Sequence, residues 1–147
     1  MGEHRPPYTV ECVTWRDARD RLSAVRRAVF VVEQGVPEDL EWDEHDAEAV
    51  HALASTATGI AVGTGRLLRD GHIGRMAVVS EWRRCGVGSA ILQTLLGTAR
   101  ALRYAEVKLH AQTHALQFYA RHGFATSSEE FMEAGIPHRE MFLRLPC

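Results

Sequence analysis

Hydrophobic residues change their spacing in the middle of the chain, from alternation to a helical period. Residues 73–79 are rich in apolar and β-branched side chains and alternate, which predicts a strand. From Val87 onward the spacing is that of one buried helical stripe, formed by Ile91, Leu92, Leu95, Leu96, Ala99 and Leu102. Residues 83–89 lie between them and contain two glycines, so the pattern predicts strand, tight turn and helix.

The same patterns divide the rest of the chain into further elements. Strands are predicted at residues 8–14, 49–55, 59–68, 105–111 and 140–145. Helices are predicted at residues 17–32 and 113–122. Asp70-Gly71 is a tight-hairpin signal, so the strands before the central helix form an antiparallel meander. The strand after that helix should run parallel to the strand before it. The fold class is therefore α/β with a mixed sheet.

Length and composition indicate a single soluble domain over residues 1–147. The chain has 147 residues, 46% hydrophobic and 24% charged, and shows no repeat or linker. Its formal net charge of -2 provides no basic field for nucleic acid or an anionic membrane, so neither is expected as a partner. Cys12, Cys85 and Cys147 lack C-x-x-C spacing and indicate reduced thiols. With no signal peptide or membrane span in view, a cytoplasmic location is expected.

The turn at residues 83–89 has the features of a phosphate-binding loop. The first N–H groups of a helix lack intrahelical partners, and Gly86 and Gly88 let a ligand approach them closely. Arg83 and Arg84 add two cations. The alternative is that the glycines only shape a strand-to-helix turn.

Three motifs together resemble one family. Arg83, Gly86 and Gly88 form R-x-x-G-x-G after a strand and before a helix, which resembles the acyl-CoA signature of the GCN5-related N-acetyltransferases (GNAT). Residues 115–124 are similar to that family's A-x-x-F-Y-x-x-x-G-F segment, and residues 131–141 read F-x-E-x-G-I-P-H-x-x-M. With residues 29–34 and the spacing of Glu41, Asp43 and Asp46, the last motif resembles the ElaA-type branch.

The resemblance implies a fold and a cosubstrate site. The fold is a mixed, mostly antiparallel sheet whose central parallel strand pair splays apart, with helices on both faces. The implied cosubstrate is acetyl-CoA, its pyrophosphate held by backbone amides of the loop. The implied binding residues are Met76, Ala77, Val78, Arg83, Arg84, Cys85, Gly86, Val87, Gly88, Ser89, Gln112 and Tyr119. Many members carry Asn where this chain has Gln112.

The resemblance also implies direct acetyl transfer to a primary amine. A backbone N–H near Ala77 or Val78 would hold the oxyanion, and Tyr119 would protonate the thiolate. The resemblance does not identify the general base that deprotonates the amine. The candidates are Glu33, Glu41, His51, Glu133 and His138. Glu33 ranks first, because partial burial at a helix end could raise its pKa. His138, expected in a Gly-Ile-Pro turn, ranks second.

Several alternatives remain beside this interpretation. Cys85, at a helix N-terminus beside two arginines, could form an acyl-cysteine, but no histidine is spaced to activate it. His110 and His114 stand four apart without a further ligand cluster, so no metal is expected. The protein could also bind acyl-CoA without transferring it, as a sensor or assembly module. A homodimer is possible.

An acidic stretch between the first predicted helix and the second predicted strand gives information about the amine that accepts the acetyl group. Its carboxylates are Glu38, Asp39, Glu41, Asp43, Glu44, Asp46 and Glu48. They either form a solvated loop or line a pocket for a cationic amine. Trp42 among them favours the second interpretation, and with it a small cationic acceptor such as a polyamine, amino sugar or amino-acid derivative.

Overall fold

The computed structural model describes residues 7–146, which form one eight-stranded sheet. The strands are β1 (Tyr8–Val13), β2 (Val50–Thr56), β3 (Ala61–Leu67), β4 (His72–Val78), β5 (Glu106–Gln112), β6 (Ala125–Thr126), β7 (Phe131–Glu133) and β8 (Ile136–Arg144). Their order is β1-β2-β3-β4-β5-β8-β6, with β7 paired to β8. β4 and β5 are parallel, and the other pairs are antiparallel. The predicted fold class is confirmed.

The helices are α1 (Trp15–Arg26), α2 (Glu38–Glu41), α3 (Val87–Ala101) and α4 (Leu116–Arg121). A π-helix (Arg27–Glu33) continues α1, so the helix predicted at 17–32 is divided in two. The Thr14 hydroxyl caps α1 by accepting from Asp17 N–H at 3.1 Å. The helix predicted at 113–122 is also divided, into a 3₁₀ turn (Thr113–Ala115) and α4. No helix in residues 7–146 is long and apolar enough to cross a membrane.

Helices cover both faces of the sheet, and alternation along β2 shows how. Leu53 packs with Ala18 and Leu22 of α1 on one face. Ala52 and Ala54 belong to the larger core beneath α3 on the other face. Because successive side chains of a strand point to opposite faces, one strand contributes to both cores.

Two glycines of β3 bring α3 close to the sheet. A Cβ atom on Gly63 would lie 2.8 Å from Ile91 Cδ1 of α3, and one on Gly65 would lie 2.9 Å from Ile91 Cγ2. Both distances are too short for real contacts. The position of α3 therefore depends on these glycines, and with it the position of the turn that begins the helix.

The last strand is longer than predicted. Ala134 and Gly135 have φ angles of 51° and 77°, which form a tight hairpin turn between β7 and β8. β8 therefore begins at Ile136 rather than at 140, and His138 lies on a strand instead of in the predicted turn. His138 on β8 pairs with Gln112 on the neighbouring strand β5. Cys147 lies outside the described residues.

Candidate active site

The parallel pairing of β4 and β5 ends early, and a cavity opens between the strands. Within the described chain, only His72 and Ile73 pair with Lys108 and Leu109. Arg75, two residues further, has a φ of 51°, and the β3–β4 register shifts around it. Such a bulge bends a strand. The cavity lined by β4 and β5 has a volume of about 1070 Å³.

One backbone amide of β4 faces this opening. Val79 donates its N–H to Val62 O on the β3 side at 2.9 Å. Since backbone polar groups alternate between the two edges of a strand, those of Val78 face the β5 side. Arg83 Nε donates to Val78 O there, at 3.0 Å. Of the two predicted oxyanion donors, Val78 therefore faces the opening and Ala77 faces β3.

The glycine loop leads from β4 into α3. After a 3₁₀ turn (Ser80–Trp82), Arg84 and Gly86 adopt positive φ angles of 65° and 83°. No described side chain caps the N-terminus of α3, so its first N–H groups remain available at the positive end of the helix dipole. Gly88 lines the cavity, and a Cβ there would lie 3.5 Å from the Phe118 ring.

Arg83 is paired inside the protein. Its Nη1 and Nη2 lie 2.6 and 2.5 Å from the two carboxylate oxygens of Glu33. The hydrogen bond from Arg83 outweighs burial and lowers the pKa of Glu33. The expectation that burial raises the Glu33 pKa is therefore wrong. The side chain of Arg83 is 40% exposed and that of Glu33 is 43% exposed, so a phosphate has access to this pair.

The residues predicted to bind the cosubstrate divide into two groups. Those that line the cavity are Met76, Ala77, Val78, Arg83, Gly88, Gln112 and Tyr119. Those that do not line it are Arg84, Cys85, Gly86, Val87 and Ser89. Val87, the first residue of α3, is buried in the core between that helix and the sheet, and Cys85 packs against the same core. That packing weighs against Cys85 as an acyl acceptor.

Ser89 is connected to α4 through a histidine. Gln93 Nε2 lies 2.9 Å from His122 Nδ1, and His122 Nε2 lies 3.1 Å from Ser89 Oγ. An amide NH₂ can only donate, so His122 Nδ1 accepts and Nε2 carries the proton. His122 therefore donates to Ser89, and burial lowers the pKa of His122. The Ser89 hydroxyl keeps its own proton to donate elsewhere.

Tyr119 and Gln112 occupy neighbouring parts of the cavity wall. Tyr119 is 8% exposed and packs between Phe118 and Phe124, with ring centroids at 5.0 and 5.9 Å. Burial raises the pKa of Tyr119, so its phenol stays protonated at working pH. Gln112 exchanges two amide hydrogen bonds with Gln34, of 2.9 and 3.2 Å.

The candidate bases are placed very differently. Glu133 and His138 line the cavity beside each other. His51 does not line it; it packs at 5.5 Å against Trp15 and contacts Asp46 O at 2.9 Å. Burial lowers the pKa of His51. Glu41 lines the cavity but is 3% exposed, and burial raises its pKa despite the nearby arginines.

The acidic stretch neutralises arginines of the chain itself. Arg26 lies 2.8 Å from Glu41 and 2.7 Å from Asp46. Arg66 lies 2.7 Å from Asp43 and 2.8 Å from Asp46. Arg75 lies 3.0 Å from Glu41 and 3.2 Å from Asp43. We call these six residues the arginine–carboxylate network.

The network corrects both interpretations of the acidic stretch. Glu41 and Asp46 are buried, so this part is not a solvated loop. Only Glu41 among the seven carboxylates lines the cavity, and it is paired with arginine. Trp42 packs against Arg26 at 5.1 Å, which explains an aromatic residue here without a substrate. The acidic stretch therefore gives no evidence for a cationic acceptor.

Several cavity residues had no functional signal in the sequence. Gln34 follows the π-helix, and His72 begins β4; both line the cavity. His110 and His114 line it as well, but no group of three or more metal-ligating side chains occurs in residues 7–146. Alternation along β5 could place His110 on one face of the strand. It could not show that Glu133 would face it across β8.

Comparisons with known proteins agree with this geometry. The family described as "Acetyltransferase (GNAT) domain" matches residues 13–145. The chain is 40% identical over 120 residues to a protein of Bacillus subtilis that is named as an acetyltransferase from its sequence family, covering 78% of this chain and 81% of that protein. It is also 40% identical over 121 residues to the uncharacterized N-acetyltransferase YjcF of the same organism, covering 80% of this chain and 86% of that protein.

Solved structures show the same arrangement. An acyl-CoA N-acyltransferase from Pseudomonas aeruginosa superposes with a TM-score of 0.82 at 31% identity, over 92% of this chain and 99% of that chain. ElaA of Escherichia coli superposes with a TM-score of 0.82 at 28% identity, with the same coverage. The chain belongs to the GNAT superfamily of acetyltransferases.

Proposed function

We propose that the protein transfers an acetyl group from acetyl-CoA directly to a primary amine. The observation that carries this proposal is the opening between β4 and β5. It begins where the strands stop pairing and forms a cavity that Gly88, Tyr119 and His138 all line. A thioester held in such an opening would meet both a phosphate-binding helix end and side chains able to move protons.

The glycine loop and α3 would hold the pyrophosphate. The helix N–H groups beyond Gly86 supply donors, and the Ser89 hydroxyl has a proton to donate. Arg84 is exposed beside them. Arg83 would exchange Glu33 and Val78 O for phosphate oxygens, which would release the β4 carbonyl to the pantetheine arm. Gly88 leaves the space through which the arm reaches the cavity.

The chemistry is acyl transfer without a covalent enzyme intermediate. Val78 N–H faces the opening and would stabilise the oxyanion that forms as the amine attacks the thioester carbon. As the C–S bond breaks, Tyr119 would give its phenolic proton to the departing thiolate. The raised pKa of Tyr119 keeps that proton in place until then.

A small cationic acceptor is supported by the charges of the cavity wall. Glu33 and Glu41 are paired with Arg83, Arg26 and Arg75. Glu133 is the remaining carboxylate there, and within residues 7–146 its ion-pair partners are the histidines His110 and His138. Its charge is available to an ammonium group. Glu33 is the weaker candidate base while Arg83 holds it, and His138 is the stronger.

Calorimetric titration of acetyl-CoA tests the proposal. The wild-type protein should bind one equivalent, and Gly88→Asp should weaken binding at least ten-fold, because a carboxylate at the loop repels the pyrophosphate. Gly97→Asp is the matched control: the same change on α3, where an added Cβ meets nothing within 4 Å. Absence of binding by the folded wild-type protein would overturn the proposal.

A further inference from the structure

His138 is held in one tautomer on the cavity wall. Its Nδ1 lies 2.7 Å from Ile136 O, and a carbonyl oxygen can only accept, so Nδ1 carries the proton. The lone pair is then on Nε2. The ring is 8% exposed and stacks on Phe131 at a centroid distance of 6.0 Å and an angle of 21°. The basic nitrogen is therefore fixed in direction.

Glu133 lies next to that nitrogen. Its Oε2 is 3.7 Å from His138 Nε2, and its Oε1 accepts a hydrogen bond of 2.9 Å from His110 Nδ1. No arginine or lysine of the described chain pairs with Glu133. The Glu133 carboxylate and the second imidazole nitrogen of His138 thus lie 3.7 Å apart on the cavity wall. An ammonium group can donate to both at once.

The groups around this pair support the carboxylate rather than the base. His110 lies between Glu133 and Glu140, whose Oε2 is 3.7 Å from His110 Nε2. The edge of His72 packs against His110 at 6.0 Å. Only one oxygen of Glu133 is used by His110, which leaves Oε2 for a ligand.

We propose that the ammonium group of the acceptor binds between Glu133 Oε2 and His138 Nε2. His138 is the catalytic base, Glu133 binds the acceptor, and His110 is a positioning residue that orients Glu133. This assignment rests on the proposed acetyl transfer and deepens it by naming the acceptor site. It requires an acceptor with a primary ammonium group that fits between β7, β8 and β5.

The protons balance as follows for one turnover. The ammonium gives one proton to His138 Nε2, and the resulting imidazolium faces the Glu133 carboxylate. The neutral amine attacks the thioester carbon, so that a C–N bond forms and the C–S bond breaks. The thiolate receives the Tyr119 proton, and the second proton lost by the nitrogen restores the phenol. The proton on His138 leaves to solvent.

Thiol release from acetyl-CoA with spermidine, glucosamine and glycine amide as probes tests Glu133. Glu133→Gln keeps the acceptor for His110 but removes the charge, so KM for the reactive amine should rise about ten-fold. KM for acetyl-CoA should not change. Glu140→Gln is the matched control, since Glu140 also approaches His110, with its Oε2 3.7 Å from His110 Nε2, but does not line the cavity. Its KM for the amine should equal the wild-type value.

His138→Asn tests the base. Asparagine retains an N–H donor where Nδ1 contacts Ile136 O, but it has no basic nitrogen in place of Nε2. We expect kcat/KM for the amine to fall about 100-fold and added imidazole to restore part of the rate. His110→Phe removes the donor to Glu133 and should raise KM for the amine as Glu133→Gln does. His110→Asn keeps a donor there and should raise that KM less.

The outcomes separate the site from the function. An active wild-type enzyme in which Glu133→Gln and Glu140→Gln behave alike, or in which His138→Asn keeps its full rate, would overturn the acceptor site alone. A wild-type protein that binds acetyl-CoA but releases no thiol with any of the probes would overturn the transfer reaction and the site with it.

Discussion

Tyr119 is the residue whose removal most directly separates catalysis from binding. Tyr119→Phe deletes only the hydroxyl and keeps the ring that packs between Phe118 and Phe124. We expect kcat to fall about 100-fold because the thiolate loses its proton donor. The calorimetric affinity for acetyl-CoA and the melting temperature should be unchanged. Steady-state thiol release measures the first quantity.

Tyr8→Phe provides the matched control for this change. Tyr8 packs edge-on against Trp82 at 6.1 Å and does not line the cavity, so its hydroxyl should not affect kcat. An unchanged rate in Tyr119→Phe would remove Tyr119 as the acid. Acetyl-CoA binding without transfer to any amine by the wild-type protein would instead favour the non-catalytic module.

At the scale of single residues, the sequence predicts where a side chain lies better than it predicts the pKa or the ion-pair partner of that side chain. The F-Y-x-x-x-G-F motif led to Tyr119, which lines the cavity. The place of Glu33 after an apolar run favours it as the catalytic base, but Arg83, fifty residues later, pairs with it. A pKa depends on such distant partners, which neither periodicity nor spacing can reveal.

At the scale of elements, the N-terminus of α3 is tied to α4 by the contact between Ser89 and His122. His122→Ala should raise KM for acetyl-CoA roughly three- to ten-fold, because the Ser89 hydroxyl would lose the donor that orients it toward phosphate. His122→Gln can donate from the position of Nε2 and should restore most of the affinity. Initial rates at varied acetyl-CoA measure both effects.

A shortened cosubstrate makes this prediction specific. S-acetylpantetheine has no pyrophosphate, so Ser89→Ala and His122→Ala should leave its KM unchanged. If His122→Ala raised KM equally for acetyl-CoA and for S-acetylpantetheine, His122 would affect the whole cavity rather than the phosphate contact. An unchanged KM for acetyl-CoA in both variants would mean that Ser89 does not contact the phosphate.

The elements predicted with most success are those with long periodic patterns. α3 carries an uninterrupted apolar stripe and begins at Val87, where the pattern starts. β8 begins four residues earlier than predicted because Gly135 and Pro137 indicate a turn, while pairing with β7 and β5 extends the strand. Pairing between distant segments is not encoded in local composition. Because of this difference, His138 lies on a strand in the cavity wall and not in the predicted turn.

At the scale of the whole molecule, the arginine–carboxylate network joins α1, β3 and β4 to the acidic stretch. Sequence alone showed seven carboxylates near Trp42 but not which cations they meet. The partners come from segments 15 to 34 residues away, as with Arg26 and Glu41 or Arg75 and Glu41. A buried network of this kind is costly to leave half-paired. We therefore expect it to govern how the domain responds to acid.

Asp43 gives that expectation a direction and a pH range. Burial alone would raise its pKa, but hydrogen bonds from Arg66 and the charges of Arg66 and Arg75 lower it from 3.8 to about 2. A carboxylate with a lowered folded-state pKa stabilises the fold above its unfolded pKa and loses that contribution as pH falls through the folded pKa. Asp43 should therefore contribute about 2 kcal/mol that is lost between about pH 4 and pH 2.

Denaturant unfolding of Asp43→Asn between pH 2 and pH 6 checks this contribution. The difference in unfolding free energy between the wild-type protein and the variant should shrink by about 2 kcal/mol as pH falls from 4 to 2. Burial raises the pKa of Glu41, so that residue acts in the opposite sense in both proteins. Asp39→Asn in the same stretch is the matched control, because Asp39 is exposed and is not part of the arginine–carboxylate network. Parallel curves for wild type and Asp43→Asn would mean that Arg66 and Arg75 do not hold Asp43 ionised in the folded protein.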